Sequence, residues 1–289
     1  MVGVVVRLED VLDAHVQVAR HLEIDVDVEA GVDDGRDAGL VVTDQVRGAP
    51  EIVVGDLTED HVVSMTDRLL LLWDIDGTLL RYGGAREHAA ALIQALNELY
   101  LLDLPPDAVQ QVSPMGKTDR RIAREVLAAA GVDATPGDEW VARVWELYRD
   151  ADLSRLRQGA MDGSEDALRW AAEAGHVNAL LTGNIEPVAH HKLAAAGLGR
   201  WFERGQGAFG SDAEDRRELV PVARARAGGW PAERTVVIGD APGDVECALA
   251  GGAIAVALLG HFGSDELAGA HVLIERLADL GTALTGTGE

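Results

Sequence analysis

Asp74 and Asp76 stand one residue apart behind the apolar run Leu69-Leu70-Leu71-Leu72-Trp73, and Gly77 follows them. Aspartate is depleted within strands, so an apolar run ending in Asp-Ile-Asp reads as a strand that delivers two carboxylates at its tip. The glycine next in line lets the backbone turn sharply at low steric cost. Such a pair suits metal-assisted chemistry on an anion, in which one carboxylate attacks or holds a cation and the other moves protons. Residues that could complete the chemistry lie further along. Thr182-Gly183-Asn184 follows the apolar run 177–181, and Lys192 stands in the helical stretch after it. Gly239-Asp240 closes the run 235–238, with Asp244 four residues on.

The hydrophobic pattern supplies the elements that must position these groups. Strands are expected over residues 69–74, 177–181, 235–238, 253–258 and 271–274. Helices are expected over 84–101, 118–130, 137–157, 163–174, 186–196 and 244–250. Near-continuous apolar strands separated by helices predict an α/β fold, a doubly wound parallel sheet covered on both faces. Open sheets of this kind bind ligands beyond the C-terminal ends of their strands, where the polar groups above would converge. Residues 83–161 read as a helical insertion, which leaves 65–82 and 162–289 as the core.

Composition narrows the partners. The net charge of −24 disfavours nonspecific binding to nucleic acid or an anionic membrane. A phosphorylated substrate remains compatible with it, because a bound divalent cation reverses the local field. No apolar run approaches the roughly 18 residues that cross a bilayer. The opening residues lack the long apolar region of a secretory signal. Cys247 is the single cysteine, so no intrachain disulfide can form and a reducing cytoplasm is the expected location. Residues 1–64 differ from the rest, with 17 valines and 15 acids against four arginines and no lysine or aromatic residue. Ile24–Val28 and Glu51–Val54 have a strand-like pattern within this extension. A natural start at Met65, with the extension arising from a mis-assigned upstream start, is an alternative to a small β-rich segment.

Several other residues have readings that do not involve chemistry. The adjacent His190 and His191 point in different directions on a helix, so surface histidines are expected rather than a joint metal site. Cys247 reads as a small packed residue. Residues 211–218, Ser-Asp-Ala-Glu-Asp-Arg-Arg-Glu, read as a solvated acidic face.

The four polar groups, taken in order, resemble the motifs of the haloacid dehalogenase-like (HAD) hydrolase superfamily, specifically its phosphatases. The likeness runs from Met65 to about Leu280. Asp74-Ile75-Asp76-Gly77-Thr78-Leu79 resembles the first motif, Leu181-Thr182-Gly183-Asn184 the second, Lys192 the third and Gly239-Asp240-Ala241-Pro242-Gly243-Asp244 the fourth. The insertion is similar to a C1 cap of the phosphoglycolate phosphatase and β-phosphoglucomutase relatives. The resemblance implies a Rossmann-like core with a helical cap and a Mg²⁺ cofactor. Asp74 would attack phosphorus to form an aspartyl-phosphate, and Asp76 would serve as general acid and base. Asp74, Asp240 and the backbone carbonyl of Asp76 would hold the metal, with Asp244 supporting Lys192 or a metal-bound water. Thr182, Gly183 and Asn184 would bind phosphate oxygens, and Lys192 would neutralise charge on the phosphoryl group and the nucleophile. Met115-Gly116-Lys117-Thr118-Asp119 resembles a cap segment that enters the site, so Lys117 or Arg120 could contact the far end of a small phosphorylated metabolite. Asp76 favours phosphoryl transfer over dehalogenation. The alternatives are a phosphomutase of the β-phosphoglucomutase type and, more remotely, a noncatalytic phosphate-binding module. The sequence carries no reading of oligomeric state.

Overall fold

The computed structural model describes residues 68–81 and 85–285. The strand-like segments of the extension and the start expected at Met65 lie outside the described residues. Six parallel strands form one sheet in the order β3-β2-β1-β4-β5-β6. They are β1 (Leu70–Trp73), β2 (Val177–Thr182), β3 (Ala208–Phe209), β4 (Thr235–Gly239), β5 (Ile254–Leu258) and β6 (Val272–Ile274). The central strand β1 pairs with β2 through Leu70 and Val177 and with β4 through Leu70 and Thr235. Strand order reverses beside β1, so the ligand crevice of a doubly wound sheet falls at its tip.

Every residue of β1 is buried, and its side chains alternate between two cores. Leu71 and Trp73 join one apolar cluster, and Leu70 and Leu72 join the other. This is the two-faced burial that a continuous apolar run requires. Trp73 keeps its indole satisfied by donating from Nε1 to Asn178 Oδ1 at 2.9 Å. Asn178 in turn donates from Nδ2 to Leu168 O at 3.1 Å. The fold is α/β with the expected parallel topology.

Between β1 and β2 run α1 (Ala85–Tyr100), α2 (Ala108–Gln111), α3 (Asp119–Ala129) and α4 (Asp138–Tyr148), followed by a 3₁₀ turn (Ser154–Gln158) and α5 (Ser164–Glu173). The helix expected over 137–157 stops at Tyr148, because the chain turns through 149–153 before the 3₁₀ turn. Thr118 caps α3, accepting the Arg121 N–H on its hydroxyl at 3.3 Å. After β2 come α6 (Glu186–Ala195), α7 (Leu219–Arg226), α8 (Pro242–Ala250) and α9 (Leu280–Thr285). The short strand β3 and the helices α2, α7 and α9 are additions to the sequence expectation. Among the described residues no helix is long and apolar enough to cross a membrane.

The inserted helices are tied to the strand tips by polar bonds. The Asp119 N–H donates to Gly183 O at 2.7 Å. The Asp119 carboxylate accepts the Ile185 N–H at 2.7 Å. Thr118 Oγ1 donates to Glu214 O at 2.6 Å. Gly183 permits this approach, since a Cβ there would lie 2.1 Å from Lys117 O.

Candidate active site

Asp74 leaves β1 with its N–H donating to Ile238 O at 2.9 Å, which fixes it between the tips of β1 and β4. Asp240 follows the end of β4, and Asp244 stands in the first turn of α8. These three buried carboxylates each offer an oxygen within 4.8 Å of the others. Thr78 Oγ1 donates to Asp240 Oδ1 at 3.1 Å. Asp244 Oδ2 accepts the Ala241 N–H at 3.0 Å, complementing the start of α8. The buried guanidinium of Arg216 donates to Asp74 Oδ1 at 3.0 Å and also to Asp244 Oδ1.

Burial and the neighbouring Asp244 raise Asp74 to about 7, against the pull of Arg216. Burial raises Asp244 as well, with Arg216 again opposing and Asp240 adding to the rise. Three carboxylates beside one guanidinium carry a formal excess of two negative charges. A divalent cation would cancel that excess, and an all-oxygen donor set suits Mg²⁺. The residues present therefore fit a metal of this kind.

Gly77 keeps the carboxylates close. Its φ of +95° is a left-handed value, and a Cβ there would lie 2.3 Å from Asp240 Oδ2. Gly77→Ala is expected to destabilise the fold by about 1–3 kcal/mol through backbone strain and to displace the Asp240 carboxylate. Denaturant unfolding and a magnesium titration of thermal stability would check this. Wild-type values for both would show that the tight turn has no part in placing Asp240.

A second network flanks the first. Lys192 on α6 is fully buried and donates from Nζ to Asp76 Oδ2 at 2.6 Å and to Asn184 Oδ1 at 2.7 Å. Asn184 Nδ2 donates to Asp76 Oδ2 and to Thr182 Oγ1, each at 2.9 Å. Burial works to raise Asp76, but the charge of Lys192 and the bonds from Lys192 and Asn184 outweigh it and hold the carboxyl below its ordinary range. Asp76 Oδ1 remains buried with no hydrogen-bond partner. The Arg216 Nε is in the same condition. A buried acceptor and a buried donor left open at one site are expensive unless a ligand or water completes them.

Of the expected residues, Asp74, Asp76, Lys117, Thr182, Gly183, Asn184, Lys192 and Asp240 line one cavity of about 220 Å³, whereas Asp244 and Arg120 do not. Several expectations are corrected. Lys192 engages Asp76 and Asn184, and the cation bonded to Asp74 is Arg216. Asp244 supports Arg216 rather than Lys192. The Asp76 carboxylate is held by Lys192 and Asn184, apart from the cluster of Asp74, Asp240 and Asp244, which leaves the expectation for its backbone carbonyl as it was. Arg120 turns aside to Ser211 O, Pro136 O and Asp138. Lys117 lines the cavity, but its Nζ is bonded to Glu125 Oε2 at 2.6 Å and Val112 O at 2.5 Å. His190 is buried against Phe209 instead of lying at the surface, and His191 is partly buried against Trp145 and Tyr148. Residues 211–218 are not simply a solvated face, because Arg216 points from them into the carboxylates. Cys247 is buried as expected, and that burial pushes its thiol up to about 12.

The model of the haloacid dehalogenase-like hydrolase family matches residues 71–249. The chain belongs to this family. The match spans the strand tips that carry Asp74, Thr182 and Asp240. A curated phosphoglycolate phosphatase from Pseudomonas fluorescens (strain Pf0-1) is 28% identical over 195 residues, covering 65% of this chain and 68% of the relative. A solved hydrolase from Pseudomonas syringae superposes with a TM-score of 0.52 at 22% identity, covering 77% of this chain and 100% of that one. A variant of CbbY from Rhodobacter sphaeroides, in complex with xylulose-1,5-bisphosphate, superposes with a TM-score of 0.53 at 17% identity, covering 74% and 97%. These two structures share the fold of this member of the family.

Proposed function

We propose that this chain is a magnesium-dependent phosphatase that hydrolyses a small phosphomonoester through an aspartyl-phosphate on Asp74. The reading is carried by the cluster of Asp74, Asp240 and Asp244, three buried carboxylates sharing one guanidinium at the strand tips. The family match and the name of the curated relative support the reaction class. A magnesium ion held by Asp74, Asp240, Asp244 and the Asp76 carbonyl would neutralise charge on the phosphoryl oxygens and the attacking carboxylate.

The chain's own groups divide the remaining work. An Asp74 oxygen attacks phosphorus while the bond to the leaving alcohol oxygen breaks; Asp76, held ionised in the free protein, takes up the proton of the substrate's phosphate monoanion and passes it to that oxygen. In the second half, Asp76 takes a proton from the water that attacks phosphorus, the bond to Asp74 breaks and phosphate leaves. Asp76 Oδ1 is the free oxygen for both transfers, since Oδ2 is held by Lys192 and Asn184. Thr182 and the Gly183 amide bind phosphoryl oxygens, and the open Nε of Arg216 can donate to another; Asn184, expected to join them, has both Nδ2 hydrogens committed to Asp76 and Thr182.

The test is release of inorganic phosphate from p-nitrophenyl phosphate across a magnesium titration. Turnover is expected to require the metal, and Asp76→Asn to slow it by about 10²–10⁴-fold. Absence of magnesium-dependent turnover on any phosphoester would sink the reading in favour of a binding module. Conversion of a sugar phosphate to its isomer without phosphate release would replace it with a mutase.

A further inference from the structure

The cavity joins a highly charged floor to a mainly apolar wall. Its volume of about 220 Å³ lies below the roughly 300–1,000 Å³ of drug-sized ligand pockets, so the substrate body is small. The floor holds the buried cations Lys192, bonded to Asp76, and Arg216, bonded to Asp74, the carboxylate that would receive the phosphoryl group. The inserted helices and their loops contribute Ala89, Leu92, Val109, Met115 and Ile122, and Phe262 joins them from the loop after β5. Those six side chains offer a substrate no charge and no hydrogen bond.

Among the described residues lining this wall, the one lysine is already engaged. Lys117 is bonded to Glu125 and Val112 O. His88 Nε2 lies 3.0 Å from Asp119 Oδ2 without a hydrogen bond to it, and both side chains are buried. A carboxylate or second phosphate on the substrate would lose its water here without a counter-charge, and would face Asp119 as well. An alkyl or aryl body would be received by side chains of its own kind.

We infer that the natural substrate is a phosphomonoester with a small, uncharged and mainly apolar body, and that the wall discriminates against esters bearing a second anion. This rests on the phosphatase reading above. Phosphoglycolate, named for the curated relative, carries a carboxylate and falls on the disfavoured side. Glu125 sets the discrimination by neutralising Lys117.

The experiment compares kcat/KM for propyl phosphate and 2-phosphoglycolate with the full chain and saturating magnesium. Propyl phosphate is expected to be favoured by about tenfold or more. Glu125→Gln, which leaves Lys117 uncompensated, is expected to raise kcat/KM for 2-phosphoglycolate by about tenfold with propyl phosphate little changed. Circular dichroism confirms that the variant is folded. Equal or faster turnover of 2-phosphoglycolate by the wild type overturns the inference and leaves the phosphatase reading standing. An unchanged ratio in folded Glu125→Gln also overturns it, because the engaged Lys117 would then not govern selectivity. Failure of every phosphoester removes the phosphatase reading and this inference with it.

Discussion

Asp74→Asn is expected to lower magnesium-dependent phosphoester turnover by about 10⁴-fold or more, the scale on which enzymes lose activity when a nucleophile is removed. Asparagine keeps the shape but lacks the anionic oxygen that attacks phosphorus. A parallel measurement separates chemistry from folding. In the metal-free protein Asp74 is raised from its ordinary value of 3.8 to about 7 by burial, with Asp244 adding to the effect. A carboxyl raised in the folded state stabilises below its unfolded pKa, and that stabilisation is lost as pH rises through the folded value. Metal-free wild type therefore loses stability from this group between about pH 4 and 7, and Asp74→Asn does not share that loss. Urea denaturation in a chelator, at both ends of the window, would show it. Turnover within tenfold of wild type would place the nucleophile elsewhere, and a variant less stable than wild type at neutral pH would make Asp74 a structural residue.

Arg216→Met is expected to destabilise the metal-free protein by about 3–5 kcal/mol near pH 8, because it leaves Asp74 and Asp244 buried without their cation. Two conditions should shrink the deficit. Lower pH protonates the raised carboxyls, so the cluster has less charge to compensate. Magnesium supplies a replacement cation and adds stability by binding the folded state. Metal-free unfolding near pH 5 and near pH 8, repeated with saturating magnesium, would test both. A deficit unchanged by pH and by metal would show that Arg216 contributes packing alone.

The groups at the tips of β1, β2 and β4 were legible in the sequence because local pattern determines them. An apolar run ends, a polar residue follows, and parallel pairing brings the tips together. Lys192 was legible as the helical lysine after the second tip, but its partner was not. Whether it reaches Asp74 or Asp76 depends on how α6 packs, which no periodicity records. Arg216 was missed for a related reason. It lies 142 residues from Asp74, in a run whose alternating charges read as a solvated surface. Its signal was electrostatic rather than local, since three carboxylates buried together call for a nearby cation. The helix expected over 137–157 was overrun, because apolar residues continue at helical spacing to Leu156 while the backbone has already turned after Tyr148. His190 was expected at the surface because adjacent helix positions point apart, which speaks against a joint metal site but does not say which side of α6 is covered, here by Phe209.

Asp119 binds the loop after β2 twice, giving its N–H to Gly183 O and taking the Ile185 N–H on its carboxylate. The inserted helices and the Thr182-Gly183-Asn184 loop therefore share one set of bonds. An anion that stiffens the loop must also strengthen the hold on the helices, and whatever lifts the helices must loosen the grip on the anion by the same free energy. On the proposed reading, entry of substrate and departure of phosphate would be thermodynamically linked to the position of a segment that has no part in the bond-breaking itself.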